Sequence, residues 1–281
     1  MQLTLDQLEK RVLAMANLPT LPGILTKIAQ LTEGKESGAS DVAKLISTDQ
    51  VLSAKVLRLV NSPIYGFPGR ISSITHAVVL LGFNVIKGLV LGTAVFDTLG
   101  EGGKALWNHS LGCAVLSRRL AMAANLPEPE EAMVAGLLHD LGKVAMAYVA
   151  PGHYVKAVEL AKKNHTYIGL AENEVFGISH ARVGGWLCDQ WHFPARLAQP
   201  LIHHHEPERA KAGEDVAAAI HVADYLARGM GYGDAGDLSM PALSRSAYER
   251  LNLSAADMDD VLNESEMEYA AGAQALDSED A

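Results

Sequence analysis

A His–Asp pair stands inside one of the most apolar helical patterns of the chain. His139 and Asp140 lie among apolar residues in the stretch 135–144, and Lys143 follows one turn after His139. On a continuous helix His139 and Lys143 share one face. A buried charge is costly unless it is paired or bound to a metal. Any fold that buries this stretch must therefore supply partners, and a satisfied core histidine beside a salt-bridging carboxylate meets that need as well as a functional site does.

The spacing of apolar residues is helical along the chain, and no stretch of useful length alternates with the period of a β-strand. Aromatic residues account for only 6% of the chain, which favours helix-on-helix packing. The sequence therefore predicts an all-α, multi-helical bundle. Because the Glu-Gly-Gly segment at 101–103 is the best candidate boundary, we expect three parts. They are an N-terminal helical subdomain at 1–102, a second helical subdomain at 103–230, and a loop with short acidic helices or a tail at 231–281.

Several helix starts carry recognisable signals. Thr4 and Gln7 form a capping box at the first helix. Later N-cap residues are expected at Ser40, Asp49, Ser179 and Asp215. A further helix is expected over 24–31, after the break at 18–22. Gly88 and Gly92 are four residues apart, so they predict a smooth strip against which another helix packs closely.

The charge of −10 is concentrated at one end of the chain. Residues 255–281 hold nine acidic residues and no Lys or Arg, which leaves 24 acidic residues against 23 basic ones elsewhere. A nearly neutral body argues against a broad nucleic-acid surface, although it allows a pocket for one phosphorylated small molecule.

Other sequence features indicate a soluble, cytoplasmic protein. Cys113 and Cys188 lack paired-thiol spacing, so neither a zinc-thiolate site nor a disulfide is indicated. The first residues lack the pattern of a signal peptide. The apolar region 71–96 is interrupted by polar residues, including Lys87, which leaves runs too short to span a membrane.

Imidazoles and carboxylates occur on five separate predicted helices of the second half of the chain. These candidate metal ligands are His109, His139, Asp140, His180, His204, His205 and Asp224. Such groups bind divalent iron, manganese, cobalt, nickel or zinc, and facing helices of a bundle can project them inward. Seven donors exceed the needs of one ion, so two ions bridged by Asp140 are expected. Two ions activate a water and hold a phosphoryl oxygen, and Lys143 is placed to pair with phosphate.

The histidine-rich segment leaves its own alternatives open. His203 could be a ligand in place of a neighbour, because consecutive residues on a helix point about 100° apart. His221 lies one turn before Asp224, and we expect it to hold a metal ligand in its orientation. His76 stands alone on an apolar helix and is expected to be structural.

The order of the candidate ligands is more specific than their number. A single His, a His-Asp pair, a His near a helix start, a His-His-Glu and a late Asp resemble the HD superfamily of metal-dependent phosphohydrolases. That resemblance implies ligands of a single ion at His109, His139, Asp140 and Asp224. It implies additional ligands, as in the multi-metal branch called HD-GYP, at His180, His204 and His205. It also implies that Lys143 contacts phosphate.

The N-terminal half resembles the HDOD domain, the HD-related output domain of bacterial signalling proteins. The motifs that carry this resemblance lie at 18–22, 49–52, 59–66 and 74–82. The resemblance covers roughly residues 15–230 and implies an HD-like all-helical fold whose members have often lost their metal ligands. This chain keeps a full set. It lacks the Asp-Gly-x-Gly-Tyr-Pro loop that follows His-His-Glu in HD-GYP proteins, and the Gly-Tyr-Gly at 231–233 comes too late.

Two functions follow from these features. One is a phosphohydrolase for a nucleotide or similar phosphate ester, with Asp140 and Lys143 as catalytic residues. The other is a non-catalytic signalling or scaffold module whose metal site is structural or vestigial and whose N-terminal helices bind a partner protein. The full ligand set favours the first function, and the HDOD motifs with the missing loop favour the second. We expect a regulatory HDOD protein that binds one or two divalent transition metal ions and does not bind a membrane.

Overall fold

The computed structural model describes residues 3–15, 39–236 and 239–277, and within these ranges it contains helices and no β-strand. The predicted all-α fold is therefore confirmed, whereas the predicted helix over 24–31 lies outside the described residues. The N-terminal helices are α1 (Leu5–Met15), α2 (Ala39–Ile46), α3 (Gln50–Val60), α4 (Ile74–Leu81) and α5 (Phe83–Phe96). The central helices are α6 (Lys104–Ala123), α7 (Pro129–Leu138), α8 (Leu141–Val149), α9 (Pro151–Asn164) and α10 (Ile168–Phe176). The last helices are α11 (His180–Gln190), α12 (Ala195–Ile202), α13 (Glu214–Gly229), α14 (Arg245–Leu251) and α15 (Ala255–Asp277).

Two N-terminal helix starts form as the sequence predicts. At α1, the Thr4 N–H donates to Gln7 Oε1 at 3.1 Å and the Gln7 N–H donates to Thr4 Oγ1 at 3.3 Å, which completes the capping box. Asp49 caps α3 by accepting the N–H of Leu52 at 3.0 Å. The prediction for Ser40 is wrong, because this residue lies inside α2.

In the second half the predicted cap Asp215 is wrong, whereas Ser179 is confirmed as an N-cap residue but does not cap with its side chain. Asp215 lies in the first turn of α13, whose N-cap is Gly213 in the left-handed conformation at φ 68°. Ser179 occupies the N-cap position of α11, but its side chain makes no capping bond. The His180 N–H instead donates to the carboxylate of Glu172 at 2.7 Å. A carboxylate from a different helix therefore replaces the local hydroxyl cap.

The acidic C-terminal region forms one short and one long helix, which corrects the prediction of short helices only. Helix α14 has seven residues and α15 has 23. Arg119 of α6 contacts the carboxylates of Glu264 and Glu268, and Val261 on α15 is buried. A continuous α15 is stabilised because these contacts hold it against α6.

The predicted subdomain boundary coincides with a bend in the chain. Residues 97–103 form a 3₁₀ segment interrupted at Gly100, which has φ 54° and ψ −146°. One hydrophobic cluster nevertheless runs from Leu8 to Leu201 and includes residues on both sides of this bend. The division into three parts stays a prediction, and the core is shared across the proposed boundary.

Helices α5 and α7 approach each other closely along the predicted glycine strip. A Cβ atom on Gly88 would lie 2.2 Å from Cγ1 of Val134, and one on Gly92 would lie 3.0 Å from Cδ2 of Leu138. Both contacts exclude larger side chains unless the neighbour moves. Since α7 ends immediately before His139, the glycine strip packs the N-terminal half against the helix that leads into the candidate site.

Two apolar stretches, 83–100 and 129–149, are long and apolar enough to cross a membrane by length and composition alone. In the folded protein 67% and 83% of these stretches are buried. The first contains Lys87, which the sequence suggested as an interruption, but Lys87 is itself buried. Burial inside the protein explains the apolar composition of both stretches.

Lys87 joins α5 to the end of α11. Its ammonium group donates to the carbonyl oxygen of Trp191 and, at 3.3 Å, to that of His192. The same nitrogen lies 4.9 Å from the centroid of the Phe193 ring. Carbonyl groups at a helix C-terminus favour a cation, so this lysine is satisfied although it is buried.

Burial lowers the pKa of Lys87 to about 8 from 10.5, and this predicts a pH dependence of stability. Between these two values the unfolded chain holds the proton and the folded protein has lost it, so the contribution of Lys87 to the free energy of unfolding is expected to rise with pH, while buried Cys188, with a pKa raised to about 12, contributes in the opposite direction. Lys87→Met is expected to remove the rise. Denaturant unfolding of both proteins from pH 7.5 to 10.5 measures it, and an identical pH slope in the variant would contradict the assignment.

Candidate metal centre

The helical run that contains the His–Asp pair is broken at the pair itself. Helix α7 ends at Leu138 and α8 begins at Leu141, which corrects the expectation that His139 and Lys143 share one continuous helix. Consecutive residues on an intact helix point about 100° apart. The break instead allows His139 and Asp140 to lie against each other, with His139 Nε2 3.3 Å from Asp140 Oδ2.

The first group of candidate ligands joins three parts of the chain. His109 Nε2 on α6 lies 3.1 Å from Asp224 Oδ1 on α13 and 3.8 Å from Asp140 Oδ2. His139 Nε2 lies 4.0 Å from the same Asp224 oxygen. These side chains are buried, and together they form the set that the HD resemblance implies for a single ion.

The second group consists of three imidazoles. His180 Nε2 lies 3.1 Å from His205 Nε2 and 3.4 Å from His204 Nε2. His203 belongs to neither of the two groups. Asp140 lies between the groups, since its Oδ1 is 3.2 Å from His180 Nε2 while its Oδ2 faces His139. The structure thus brings all seven predicted residues together, and their role as ligands stays a prediction.

Backbone and carboxylate acceptors fix the orientation of the imidazoles. The Nδ1–H of His139 donates to the carbonyl of Gly136, and that of His204 to the carbonyl of Leu201, each at 2.7 Å. The Nδ1–H of His180 donates to Glu172 Oε2 at 2.6 Å. These bonds leave each Nε2 facing the centre, which is how metal-binding histidines are commonly held.

His221 is hydrogen-bonded to the backbone of His204, a member of the second group. Its Nδ1–H donates to the carbonyl oxygen of His204 at 2.8 Å, and its Nε2 accepts the N–H of Ser244 at 2.8 Å. Both ring nitrogens are therefore used, which leaves His221 no free atom for a metal. It fixes the backbone of a candidate ligand.

Several buried polar atoms at the centre have no hydrogen-bond partner, and two of them, His139 Nε2 and Asp140 Oδ1, face other candidate ligands. Each lies within 3.3 Å of another polar atom, but the angles do not fit a hydrogen bond. Leaving such atoms unsatisfied costs about 1–3 kcal/mol each. Separations of this size without hydrogen bonding are expected when neighbouring donors point at a common ion.

The environment sets the protonation of these groups. Burial lowers the pKa of His204 and of His205 well below the usual value, and the neighbouring imidazoles lower it further. Burial also lowers the pKa of His139, but Asp140 more than reverses this effect, so protons and metal compete for that ring. Against the effect of burial, His139 and Lys143 hold the pKa of Asp140 well below its usual value, and Asp140 is ionised.

Each of the two carboxylates already has a cationic partner. Lys143 Nζ lies 2.8 Å from Asp140 Oδ2, and Arg228 Nε lies 2.8 Å from Asp224 Oδ1. All four side chains are buried or nearly so. The carboxylate charge is therefore balanced within the protein, and Lys143 is engaged rather than open to a phosphate.

Residues 231–236, which we call the strap, lie across the first group. The Lys143 ammonium donates to the carbonyl oxygen of Ala235 at 2.8 Å, and the Asp234 N–H donates to that of Ala105 at 3.0 Å. A Cβ atom on Gly233 would lie 2.2 Å from the backbone nitrogen of His109, and Gly233 has φ 65°. Only glycine permits this approach. The one predicted ligand that is partly exposed is His205.

Three residues of the centre were missed by sequence reasoning. Arg228 follows Asp224 by four positions and Cys113 follows His109 by four, so helical spacing was a usable signal for both. Glu172 lies on a different helix from its partner His180, and no local spacing connects them.

Taken together, the fold and the site define an all-helical protein with a buried two-part His/Asp centre of metal-site composition. The family model of the HDOD domain matches residues 18–207, more than half of the chain. The chain belongs to the HDOD family.

Solved structures share the fold over nearly the whole chain. An HDOD domain protein of unknown function from Geobacter sulfurreducens is 26% identical, with a TM-score of 0.71 and 96% of each chain covered. A proposed phosphohydrolase from Shewanella amazonensis is 23% identical, with a TM-score of 0.67 over 95% of this chain and 98% of that one. A proposed signal transduction protein from Marinobacter aquaeolei is 21% identical, with a TM-score of 0.65. The match covers 99% of this chain and 62% of that one.

A curated relative is longer than this chain. An uncharacterised protein from Treponema pallidum (strain Nichols) is 27% identical over 221 residues, which are 75% of this chain and 42% of that protein. This chain thus spans less than half the length of that relative.

Proposed function

We propose that this HDOD protein is a cytoplasmic signal-transduction module that binds one or two divalent transition metal ions. The observation that carries the proposal is the pair of unpartnered buried atoms, His139 Nε2 and Asp140 Oδ1, which face other donors at 3.2–3.3 Å without hydrogen bonding. Imidazole and carboxylate donors fit iron, manganese, cobalt, nickel or zinc. Asp140, with one oxygen toward each group, is the residue that would bridge two ions.

A regulatory role is favoured over catalysis because the ammonium group of Lys143 is buried and already hydrogen-bonded. Its ammonium group is bonded to Asp140 and to the strap carbonyl of Ala235, both at 2.8 Å, and it has no exposed surface. A phosphate would have to displace the strap to reach it. A partner protein bound to the N-terminal helices would be connected to the centre through α7, which packs on Gly88 and Gly92.

Phosphate-ester hydrolysis is the second candidate, because Asp140 contacts both donor groups. A pair of divalent ions would supply an activated water and a Lewis acid for a phosphoryl oxygen. Asp140 would hold both ions, and Lys143 would orient Asp140 while the strap excludes bulk water. A nucleotide or related phosphorylated small molecule is the proposed substrate class.

Metal analysis of protein purified without chelator tests the metal site. We expect about one or two equivalents of transition metal, and a loss of at least one in Asp140→Ala. A metal content below about half an equivalent per protein, with no change in the variant, would contradict the proposal.

A screen of nucleotides and generic phosphodiesters then tests for hydrolysis. Turnover that requires both metal and Lys143 would establish the second candidate, and its absence favours the regulatory role.

Replacing Glu172 with glutamine is expected to weaken metal binding by about 10–100-fold. The carboxylate holds His180 through its Nδ1–H at 2.6 Å, and a neutral amide would accept this bond less strongly. Competition with a chelating dye measures the affinity. Glu174→Gln, an exposed change on the same helix, is the matched control and is expected to bind metal as the unchanged protein does. Equal affinities in the two variants would contradict this role for Glu172.

A further inference from the structure

A buried cysteine lies beside the first group. Cys113 follows His109 by one turn on α6, and its Sγ lies 3.5 Å from His109 Nε2. One donor atom from each of four residues lies within 4.8 Å of the others, and these residues are His109, Cys113, His139 and Asp224. All four side chains are buried. The sulfur is therefore part of the same converging set and not only a small apolar residue of the core.

The distances have the size expected of ligands around one tetrahedral ion. With metal–sulfur and metal–nitrogen bonds of about 2.3 and 2.05 Å, two such ligands lie about 3.6 Å apart. The observed separation of Cys113 Sγ and His109 Nε2 is 3.5 Å. Tetrahedral geometry with nitrogen, oxygen and sulfur donors is typical of zinc and of ions that replace it.

A second observation points to a ligand at this position. His139 Nε2 is fully buried, has no hydrogen-bond partner and belongs to the same set of donor atoms as the sulfur. A hydrogen bond between Cys113 and His109 would account for their contact alone. It leaves the His139 nitrogen unsatisfied, whereas an ion shared by the set satisfies every member.

We propose that Cys113 is a thiolate ligand of the first ion alongside His109, His139 and Asp224, while Asp140 stays the residue that would bridge this ion to the second. The inference deepens the proposed function and rests on it. On binding, a metal–sulfur bond replaces the S–H bond, and the proton leaves to solvent. The first site then differs chemically from the second, whose donors are the imidazoles of His180, His204 and His205.

The sulfur gives the first site a preference among metals. Thiolate is a soft donor that selects zinc, cobalt or iron over manganese and magnesium, whereas a site of oxygen and nitrogen donors is less selective. Two ions in this protein are therefore expected to differ in identity or in affinity.

Cobalt(II) reconstitution of the full chain tests this assignment. Tetrahedral cobalt gives visible d–d bands with any of these donors, but only a thiolate ligand adds an intense near-ultraviolet charge-transfer band. We expect both features in the unchanged protein. Visible bands without the charge-transfer band would overturn the role of Cys113 and leave the metal site standing. Absence of bound cobalt by metal analysis would overturn the proposed function and this inference with it.

Two serine variants separate the two cysteines. Cys113→Ser is expected to lose the charge-transfer band and keep the visible bands of bound cobalt. Cys188→Ser is the matched control, because Cys188 is also buried and lies in none of the donor groups. Its spectrum is expected to retain the band. Retention of the band in Cys113→Ser would refute the assignment, and its loss in Cys188→Ser would do so as well.

Discussion

Replacing Gly142 with alanine is expected to destabilise the protein by about 3 kcal/mol or more and to abolish metal binding by the imidazole group. Gly142 is the second residue of α8, and a Cβ atom there would lie 1.9 Å from the carbonyl oxygen of His180 and 2.8 Å from the nitrogen of Gly184. Both contacts are with backbone, which cannot rotate away. The first turn of α11 must therefore move, and His180 moves with it, away from Asp140.

The matched control for this change is Gly152→Ala. Gly152 is also the second residue of its helix, α9, and an added Cβ would meet no atom within 4 Å. Denaturant unfolding and metal analysis of the two variants measure the difference. We expect the control to be as stable as the unchanged protein or slightly more so, because alanine favours a helix. Similar stability and similar metal content in the two variants would contradict the close packing of α8 on α11.

Replacing Lys143 with methionine is expected to have opposite effects on stability and on metal binding. Without metal, the change leaves the buried carboxylate of Asp140 without its cation, so the free energy of unfolding should fall by about 3–5 kcal/mol. With metal, the loss of a positive charge next to the site should raise the affinity about tenfold or more, because charges this close still interact strongly near a protein interior. Unfolding in the presence of a chelator and dye competition measure the two effects.

Lys87→Met is the control for this pair of effects. Lys87 is also buried, but carbonyl oxygens and an aromatic ring surround it rather than a carboxylate. Its replacement is expected to leave metal affinity unchanged. If Lys143→Met lowers the affinity instead, Lys143 stabilises the metal-bound form by positioning Asp140, and its charge is not the dominant effect.

Helical periodicity was sufficient to predict the all-α fold, and the residue types together with their order along the chain led to the seven side chains that meet at the centre, although His203 was left open as an alternative ligand. The close packing predicted for Gly88 and Gly92 also follows from local spacing, because a smooth strip has few other uses in a packed bundle. Such features depend on residues within one or two turns of each other.

The errors share a different origin. The break between α7 and α8 is not visible in a sequence that reads as one apolar helix, because it depends on what His139 and Asp140 contact elsewhere. Ser179 is the N-cap residue of α11 as predicted, but the carboxylate that accepts the His180 N–H comes from Glu172 on another helix. Contacts between distant segments decide these details, and no local pattern encodes them.

The position of the strap limits when a metal ion could reach the first group. Asp224 and residues 231–236 come late in the chain, and the strap lies across donors that belong to earlier helices. Among the residues that the structure describes, His205 is the one predicted ligand with a partly exposed side chain. An ion of the first group would therefore enter during folding, before the strap closes, and its later exchange would require the strap to open.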